Sequence, residues 1–496
     1  MQKNKKKPNR VGKVFGVIFS ILLVAATMYL LFNLVKLNVL PTKLLFLVTV
    51  VFVLLDLIFI LLLCFATKGA VSKIICIIFT IAIALGSCMG GYYISKTGNL
   101  LSNMTTVSSN AKTTVSVVVK KSSDLKKKND LAGHSIGVLQ NIGTVGSKKV
   151  LKDLSKSGIE MNQTPYESMT DMLAAFYNGD VDSIIINESS RDQITDIEEY
   201  AEFDKNTRVV YQTSYEVENT DKANAVSNIT NTPFNVLISG SDTRGGFDEN
   251  GRSDVIMVAT VNPKTGTILL TSIPRDFYVE TACDAGDGCQ QGALDKITHT
   301  GIHGTNTTKR TVEINYTFKV GFDTVTDIVD AVGGVDVNVE PGYECSNFLH
   351  APGLSVHAGV NHLNGEQALG YARERYAYSE GDRQRTKNQQ QVLMGIVNKV
   401  TSPAIVTNYA SIMDSMANTF STTMSNDEIT SLIKYQLNKN PKWKIEQSMV
   451  DGTGDTQMCA ELGNAAYVMV PDESTVTKAS NKINAVMQGK SADDVE

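Results

Sequence analysis

The sequence predicts an α/β protein that is anchored in a membrane by three N-terminal helices and carries two α/β domains beyond them. The first hundred residues contain three long apolar runs, and strand-like and helix-like segments alternate in the remainder of the 496-residue chain. The charges divide in the same way. The first hundred residues carry eleven Lys and Arg against one acid, whereas the rest carries 35 against 50.

These charges exclude several classes of protein. The net charge of −5 is an average over a basic anchor and an acidic remainder, which disfavours a uniformly soluble cytosolic enzyme. Nucleic-acid binding is disfavoured because the large part of the chain is acidic. Eleven prolines are too few for long disordered tracts. The length predicts two to four domains.

The three apolar runs each have the length of a membrane-spanning helix. They cover about Val14–Val35, Leu44–Thr67 and Ile74–Ser95, which we group as residues 14–95. The basic tail, residues 1–13, is expected to stay in the cytoplasm, so that the chain after the third run lies outside. A cleaved signal peptide is the alternative for the first run, but two further runs follow it.

A linker at residues 96–112 leads to a small accessory domain at residues 113–215. Its pattern predicts strands at 115–119, 135–139 and 181–186 and helices at 146–157 and 166–177. The segment is similar to one lobe of an extracellular solute-binding protein. Because the facing lobe is missing, we favour a structural or docking module over a ligand-binding one.

The larger outer domain is placed at residues 230–400, with residues 401–496 completing it. Charged residues flank its predicted strands, which cover 234–238, 255–261 and 267–272. They include Asp242 and Arg244 after the first strand, Arg252 and Asp254 before the second, and Arg275 after the third. Carboxylates and arginines just beyond buried strands are typical of active sites in α/β folds.

The densest charged segment is residues 371–390. If residues 371–376 are extended, Arg373 and Arg375 point to one face. Asp382 is then predicted to be the N-cap of a helix that reaches about residue 400 and places Arg385 and Gln389 one turn apart. Arginine forks at a helix N-terminus favour a multiply charged phosphate.

The distribution of arginine separates a binding site from ordinary surface charge. The chain beyond residue 100 has 25 Lys but only ten Arg, and seven of those ten fall in these motifs. Solvated surfaces use lysine freely, so the segregation predicts a dedicated anion site. Asp242 and Asp254 close to it predict Mg²⁺, with Mn²⁺ as the alternative, held by carboxylates and substrate phosphates.

Four cysteines lie outside the apolar runs, and an even number in an oxidising location permits two disulfides. Cys283 and Cys289 enclose a short loop and form the favoured local pair, which leaves Cys345 with Cys459. Free thiols are the alternative.

Six motifs occur in the order found in the LytR-CpsA-Psr family, which the chain resembles over about Phe234–Val400. They are Ser241-Asp242-Thr243-Arg244, Arg252-Ser253-Asp254, Ile273-Pro274-Arg275-Asp276, Asp295-Lys296-Ile297-Thr298-His299, Leu363-Asn364-Gly365-Glu366-Gln367-Ala368-Leu369 and Arg373-Glu374-Arg375 with Gly381-Asp382-Arg383 and Asn388-Gln389-Gln390. Three spans followed by a small outer domain resemble the streptococcal CpsA type of this family.

The resemblance implies an α/β/α sandwich with a central mixed sheet. It also implies a membrane-anchored, Mg²⁺-dependent phosphotransferase of Gram-positive bacteria, with pyrophosphatase activity as a further expectation. Such an enzyme moves capsular polysaccharide or a teichoic-acid type polymer from an undecaprenyl-pyrophosphate carrier to peptidoglycan, and the polyprenyl tail lies in an apolar tunnel.

The motifs also imply a role for individual residues. Asp242 and Asp254 would hold the metal, and Asp382 is a candidate base as well as a candidate N-cap. The residues expected at the pyrophosphate are Arg252, Arg275, Arg373, Arg375 and Arg385, supported by Lys296 and Gln389.

Proteins of this type have also been described as transcriptional attenuators. The alternative function is therefore a non-catalytic regulator or assembly factor of capsule or envelope synthesis, together with other proteins of that process. Direct DNA binding is disfavoured, because the short cytoplasmic portion is too small for a DNA-reading fold.

Overall fold

The computed structural model describes residues 10–66, 70–105, 110–218, 222–241, 251–282, 291–303, 313–402 and 420–495. The chain divides into two compact units. One contains the N-terminal helices together with residues 426–441, and the other contains most of the rest.

The three predicted spans are helical. Helices α1 (Arg10–Leu37), α2 (Thr42–Leu61, continued by a π turn to Ala66) and α3 (Ala70–Thr105) each contain a segment long and apolar enough to cross a membrane. The Thr27 hydroxyl on α1 donates a hydrogen bond of 3.0 Å to Asp56 on α2, so this acid in an apolar helix serves a helix–helix contact. The third helix extends well into the predicted linker, and the first strand begins at Asn110.

The next part of the chain forms a five-stranded domain. The strands are β1 (Asn110–Lys120), β2 (Ser135–Leu139), β3 (Asn162–Tyr166), β4 (Ser183–Asn187) and β5 (Thr207–Glu218). Their sheet has the order β3-β2-β4-β1-β5, with parallel pairs β2–β3 and β2–β4 and antiparallel pairs β1–β4 and β1–β5. The helices are α4 (Thr144–Lys156), α5 (Met169–Asn178), α6 (Arg191–Asp196) and α7 (Phe203–Asn206).

Alternation along β1 explains the two cores of this domain. Val117 packs on one face of the sheet with Leu154 of α4, and Val118 packs on the other with Phe176 of α5. Successive side chains of a strand point to opposite faces, so a continuous apolar run covers both. Helix α5 ends where the sequence predicts, at Gly179, whose φ of 90° suits glycine.

The remaining chain forms a six-stranded domain around a mixed sheet. The sheet strands are β6 (Phe234–Ser241), β7 (Ser253–Asn262), β8 (Thr267–Ile273), β11 (Tyr316–Gly321), β14 (Phe420–Thr422) and β15 (Lys444–Met449). Their order is β14-β11-β6-β7-β8-β15. The pairs β6–β11 and β8–β15 are parallel, and the others are antiparallel.

Three two-stranded sheets and further helices complete the described chain. The small strands are β9 (Tyr278–Glu280), β10 (Leu294–Lys296), β12 (Val335–Val339), β13 (Gly359–Leu363), β16 (Gly452–Cys459) and β17 (Asn464–Pro471). The helices are α8 (Phe322–Ala331), α9 (Gly365–Arg373), α10 (Asp382–Val400), α11 (Asn426–Lys439) and α12 (Glu473–Met487). Helix α11 belongs to the unit of the N-terminal helices, and Lys434 donates a hydrogen bond of 2.6 Å to Asn38 there.

The six-stranded sheet is covered on both faces, as the predicted α/β/α sandwich requires. Ile256 and Val258 of β7 pack with Ile483 of α12 on one face. The alternate residues Val255 and Met257 face a cavity beneath helices α8, α9 and α10. Alternate residues of β7 therefore face either the packed apolar core or the cavity.

Two local predictions in this domain are wrong. Residues 371–373 are the last turn of α9 instead of an extended segment. The motif Asn364-Gly365-Glu366-Gln367 accounts for this helix, because Asn364 and Gln367 form a reciprocal capping box. Asp382 is the first residue of α10, and Gly381 precedes it as N-cap.

Candidate active site

The cavity lies against one face of the six-stranded sheet, near the end of the strands where β7 begins and β8 ends. Because β7 and β8 are antiparallel, Arg252 and Asp254 at the start of one strand lie beside Arg275 just after the end of the other. The Arg275 guanidinium donates a hydrogen bond of 2.9 Å to Asp254 Oδ1, and both side chains are 14% exposed. Strand pairing thus converts two separate motifs into one buried ion pair.

Electrostatics keep this pair ionised. Burial acts to raise the pKa of Asp254, but the charges of Arg275, Arg252 and Arg385 hold that pKa below its ordinary value. Burial likewise acts to lower the pKa of Arg275, and the charges of Asp254, Asp276 and Asp382 raise it above its ordinary value. A negative charge is therefore stable in this part of the cavity.

The opposite wall comes from the chain between α9 and α10. Glu374 is fully buried, and its carboxylate accepts backbone N–H groups of Leu349, Tyr376 and Ala377 at 2.7, 2.8 and 3.0 Å. This anchoring places Arg373 and Arg375 on either side of Glu374, and both line the cavity. Arg373 and Arg375 therefore line the same cavity, although residues 371–373 are helical instead of extended.

Helix α10 supplies Arg385 and Gln389, which are four residues apart and both line the cavity. Other residues of the same motif fix the helix. Asn388 donates to the Tyr371 carbonyl at 3.0 Å, and Gln390 donates to Ser272 Oγ on β8 at 2.8 Å. The motif thus combines groups that face the cavity with groups that hold α10 against α9 and the sheet.

Two guanidinium groups retain unused donors. The Nε–H groups of Arg275 and Arg385 are buried and form no hydrogen bond among the described residues, although Arg275 Nε lies 3.7 Å from Asp276 Oδ2. Burial, and then the neighbouring charge of Arg275, lowers the pKa of Arg385. Buried donors without acceptors are costly, so the arrangement favours an anion between the two arginines.

The lining of the cavity, about 390 Å³ in volume, contains a charged and an apolar group of residues, which on α10 follow one another from Arg385 and Gln389 to Leu393 and Ile396. Five arginines and three aspartates line it among the described residues. The apolar lining comes from strands β7 and β11 and helices α9 and α10, and includes Met257, Val320, Leu369, Leu393 and Ile396. A molecule with an anionic head and a hydrocarbon tail matches this division.

Two predicted site residues do not line the cavity. Lys296 pairs with Asp276 at 3.2 Å, and Asp276 in turn lies near Arg275. Both carboxylate oxygens of Asp382 contact Arg385, at 2.7 and 2.9 Å. Lys296, through Asp276, and Asp382 therefore hold Arg275 and Arg385 in place without lining the cavity themselves. Asp242, Arg244, Cys283 and Cys289 lie outside the described residues.

The predicted Cys345–Cys459 disulfide is wrong, because both cysteines are free thiols. Cys459 packs with Leu462 and Val468 and is fully buried. Cys345 lies on an isolated β-bridge to Val356 in a different part of the domain. Burial raises the pKa of both thiols, that of Cys459 to about 12, which disfavours the reactive thiolate form.

The structure adds two groups that the sequence did not indicate. His350, in the loop before β13, lines the cavity, and so do Asp192, Thr195 and Asp196 of helix α6 in the five-stranded domain. No local pattern could have revealed them. They reach the cavity only because distant segments pack against it.

A model of the LytR_cpsA_psr family matches residues 200–485, which is more than half of the chain. The chain belongs to the LytR_cpsA_psr family. The match spans the whole six-stranded sheet and every residue that the six-stranded domain contributes to the cavity. The three apolar helices before it suggest a membrane anchor for this LytR_cpsA_psr protein.

Relatives of this LytR_cpsA_psr protein carry a functional name. The polyisoprenyl-teichoic acid–peptidoglycan teichoic acid transferase TagU of Bacillus subtilis strain 168 is 32% identical over 264 residues, 52% of this chain and 78% of the relative. The protein of that name in Enterococcus faecalis strain V583 is 32% identical over 287 residues, 56% and 87% of the two chains. The crystal structure of B. subtilis TagU superposes with a TM-score of 0.39 at 29% identity, covering 52% and 97%.

Proposed function

We propose that this protein transfers a glycopolymer, either capsular polysaccharide or a teichoic-acid type polymer, from an undecaprenyl-pyrophosphate carrier to peptidoglycan. The observation that carries the proposal is the cavity itself. Its charged lining includes the buried Nε–H groups of Arg275 and Arg385, which have no hydrogen bond among the described residues, and much of the remaining lining is apolar. A polyprenyl pyrophosphate has this combination of a dianionic or trianionic head and a hydrocarbon tail. The names of the relatives agree with this substrate class.

The reaction requires one bond to form and one to break. The acceptor hydroxyl oxygen forms a bond to the phosphorus on the glycan side, and polyprenyl monophosphate leaves. Arg252, Arg275 and Arg385 hold the phosphates and stabilise charge that develops on the bridging and leaving oxygens. Arg373 and Arg375 close the cavity from the opposite side.

The proposal includes a divalent cation beside Asp254. Among the described residues, the hydrogen bonds to Asp254 are accepted by Oδ1, from Arg275 at 2.9 Å and from Thr298 at 3.4 Å, and Oδ2 is the oxygen proposed as a cation ligand. Among the described residues, no three His, Cys, Asp or Glu side chains form a preformed metal cage. This suits Mg²⁺, which binds through one or two carboxylates and substrate phosphates and would neutralise phosphate charge there. Asp242, the second predicted ligand, lies outside the described residues.

His350 is the better candidate for the group that accepts the hydroxyl proton. Asp382 is engaged through both oxygens by Arg385. Burial and the charges of Arg373, Arg375 and Arg385 lower the pKa of His350, against the opposing effect of Glu374. The imidazole is therefore neutral at pH 7 and can take up a proton.

Replacing His350 with asparagine should lower kcat by about 10²-fold and remove the acid limb of the pH–rate profile. In the wild type that limb should lie below pH 6.5, because a lowered pKa keeps the basic form present to more acidic pH. The measurement is transfer rate between pH 5 and 8. His362→Asn is the matched control, since His362 is exposed and paired with Asp336. An acid limb that persists in His350→Asn would contradict the role.

The membrane helices fit the same proposal. The basic tail is placed in the cytoplasm, the three helices cross the membrane, and both outer domains face the cell wall of a Gram-positive bacterium. The undecaprenyl-pyrophosphate carrier and the peptidoglycan acceptor then meet at the outer surface of the membrane.

The proposal is tested with the full-length protein in detergent micelles, an undecaprenyl-pyrophosphate-linked glycan and peptidoglycan fragments. Glycan covalently joined to peptidoglycan, with polyprenyl monophosphate released in equal amount, is the expected result. Release of glycan phosphate without an acceptor would indicate pyrophosphatase activity instead. If neither product forms with Mg²⁺ or Mn²⁺ present, a non-catalytic role in envelope synthesis replaces the proposal.

A further inference from the structure

One wall of the cavity belongs to the five-stranded domain. The six-residue helix α6 contributes Asp192, Thr195 and Asp196 to the lining, and all the other lining residues come from the six-stranded domain. The two domains lie in one compact unit, and a second contact joins them where the Met169 N–H donates to the Leu462 carbonyl at 3.2 Å. The accessory domain thus takes part in the site.

Helix α6 is held firmly by its own domain. Arg191 at its start donates to Glu188 at 2.6 and 2.7 Å and to Asp204 at 3.0 Å, and is 9% exposed. Ile194 is buried in the core beside α5. Because both anchors belong to the five-stranded domain, the position of Asp196 follows that domain as a body.

Asp196 forms an ion pair of 2.5 Å with Arg252, one of the five arginines of the cavity. The two partners differ in exposure, since the Arg252 side chain is 13% exposed and that of Asp196 is 58% exposed. In the neighbouring pair Asp254–Arg275 both partners are 14% exposed. An exposed carboxylate can leave its partner at little cost, whereas separating a buried pair is expensive. Asp254 is therefore the fixed counterion of the site and Asp196 the replaceable one.

We propose that Asp196 is a displaceable counterion, so that the pyrophosphate of the substrate takes its place on Arg252 and the accessory domain competes with substrate for the cavity. The inference rests on the proposed function, because it concerns a pyrophosphate ligand at the same arginine. A pyrophosphate carries more negative charge than one carboxylate and offers several oxygens to the guanidinium fork. Binding then releases α6 from the cavity wall, and loss of that contact makes room for the glycan that follows the phosphates.

A different role for Asp196, in which it stays bound to Arg252, predicts the opposite change in affinity. If Asp196 stayed on Arg252 and oriented it for the substrate, removing the carboxylate would weaken binding. Helix α6 would then also become more protected when substrate binds. Binding measurements alone distinguish these two roles of Asp196, without measuring turnover.

The test uses the full-length protein in detergent micelles, with geranylgeranyl pyrophosphate as the probe and isothermal titration calorimetry as the readout. Asp196→Asn and Asp196→Ala should bind the probe about two- to fivefold more tightly than wild type, which is the gain expected when an exposed ion pair no longer competes. Glu198→Gln is the matched control, since it removes the same charge from an exposed position two residues away that does not line the cavity. In an Arg252→Gln background, Asp196→Asn should change nothing.

A second measurement follows amide hydrogen exchange in residues 188–200 of the wild type. Exchange should speed up at the C-terminal end of α6, around Asp196, when the probe is bound, because that end has lost its contact with Arg252. Equal or weaker binding by both Asp196 variants, an equal gain in Glu198→Gln, or added protection of α6 would each overturn the inference while leaving the proposed function intact. Failure of the wild type to bind the probe would overturn both.

Discussion

Alanine in place of Arg375 should lower the transfer rate by about 10²–10³-fold, the loss expected when one preorganised donor to a developing charge is removed. Among the described contacts, Arg375 donates to the Tyr376 hydroxyl at 2.6 Å and lies 4.7 Å from the centre of that ring. It has no carboxylate partner there, so its charge is available to the substrate. Because no buried acid loses its counter-charge, the thermal unfolding midpoint should change little.

Arg383→Ala is the matched control for Arg375→Ala. Arg383 lies in the same charged segment, but it pairs with Asp451 at 2.9 Å and does not line the cavity. Its loss should leave transfer within about twofold of wild type. Transfer undiminished in Arg375→Ala, or equally reduced in Arg383→Ala, would remove Arg375 from the pyrophosphate site.

Replacing Asp254 with asparagine should lower the free energy of unfolding of the six-stranded domain by about 3–5 kcal/mol, because a buried ion pair loses one partner. Arg275, Arg252 and Arg385 would then repel one another across the cavity without a central negative charge. The expected fall of the unfolding midpoint is roughly 10 °C. Inorganic pyrophosphate should restore part of it, because a bound anion stabilises the folded state and supplies the missing charge.

The stability that Asp254 contributes to the folded protein depends on pH in a definite direction. The pKa of Asp254 is lowered in the folded protein, so its stabilisation is present above the unfolded pKa of about 3.9 and is lost as pH falls through the lower folded value. Wild type and Asp254→Asn should therefore differ by a constant amount near neutral pH and converge below about pH 4. Asp451→Asn, which breaks a half-exposed pair, should cost about 1 kcal/mol or less. An equal loss in both variants would contradict the assignment of Asp254 as the fixed counterion.

Much of the architecture could be predicted because it depends on local patterns. The three spans follow from runs of apolar residues, and strands such as β2 and β7 from continuous apolar segments between turns. The edge strands β3 and β5 and the C-terminal elements β16, β17 and α12 were not predicted. β3 and β16 are mostly exposed, so they carry a weak apolar pattern.

The structure brings several of the predicted site residues together, but it pairs some of them in ways that the sequence did not predict. The concentration of arginine singled out seven side chains, of which five line one cavity, whereas Arg383 does not and Arg244 lies outside the described residues. The helical conformation of residues 371–373, the backing role of Lys296 and the free thiols Cys345 and Cys459 were not foreseen. Each depends on partners tens or hundreds of residues away, and no sequence pattern reports such distances.

The sequence by itself determined the three apolar helices, the α/β alternation and the concentration of arginine around one cavity, because hydrophobic runs, strand periodicity and residue type act locally. Only the tertiary structure decided which charges are paired. It buries Asp254 against Arg275 and leaves Asp196, from another domain, half-exposed on Arg252. The physical reason is that the strength of an ion pair depends on its distance and burial, and packing sets both.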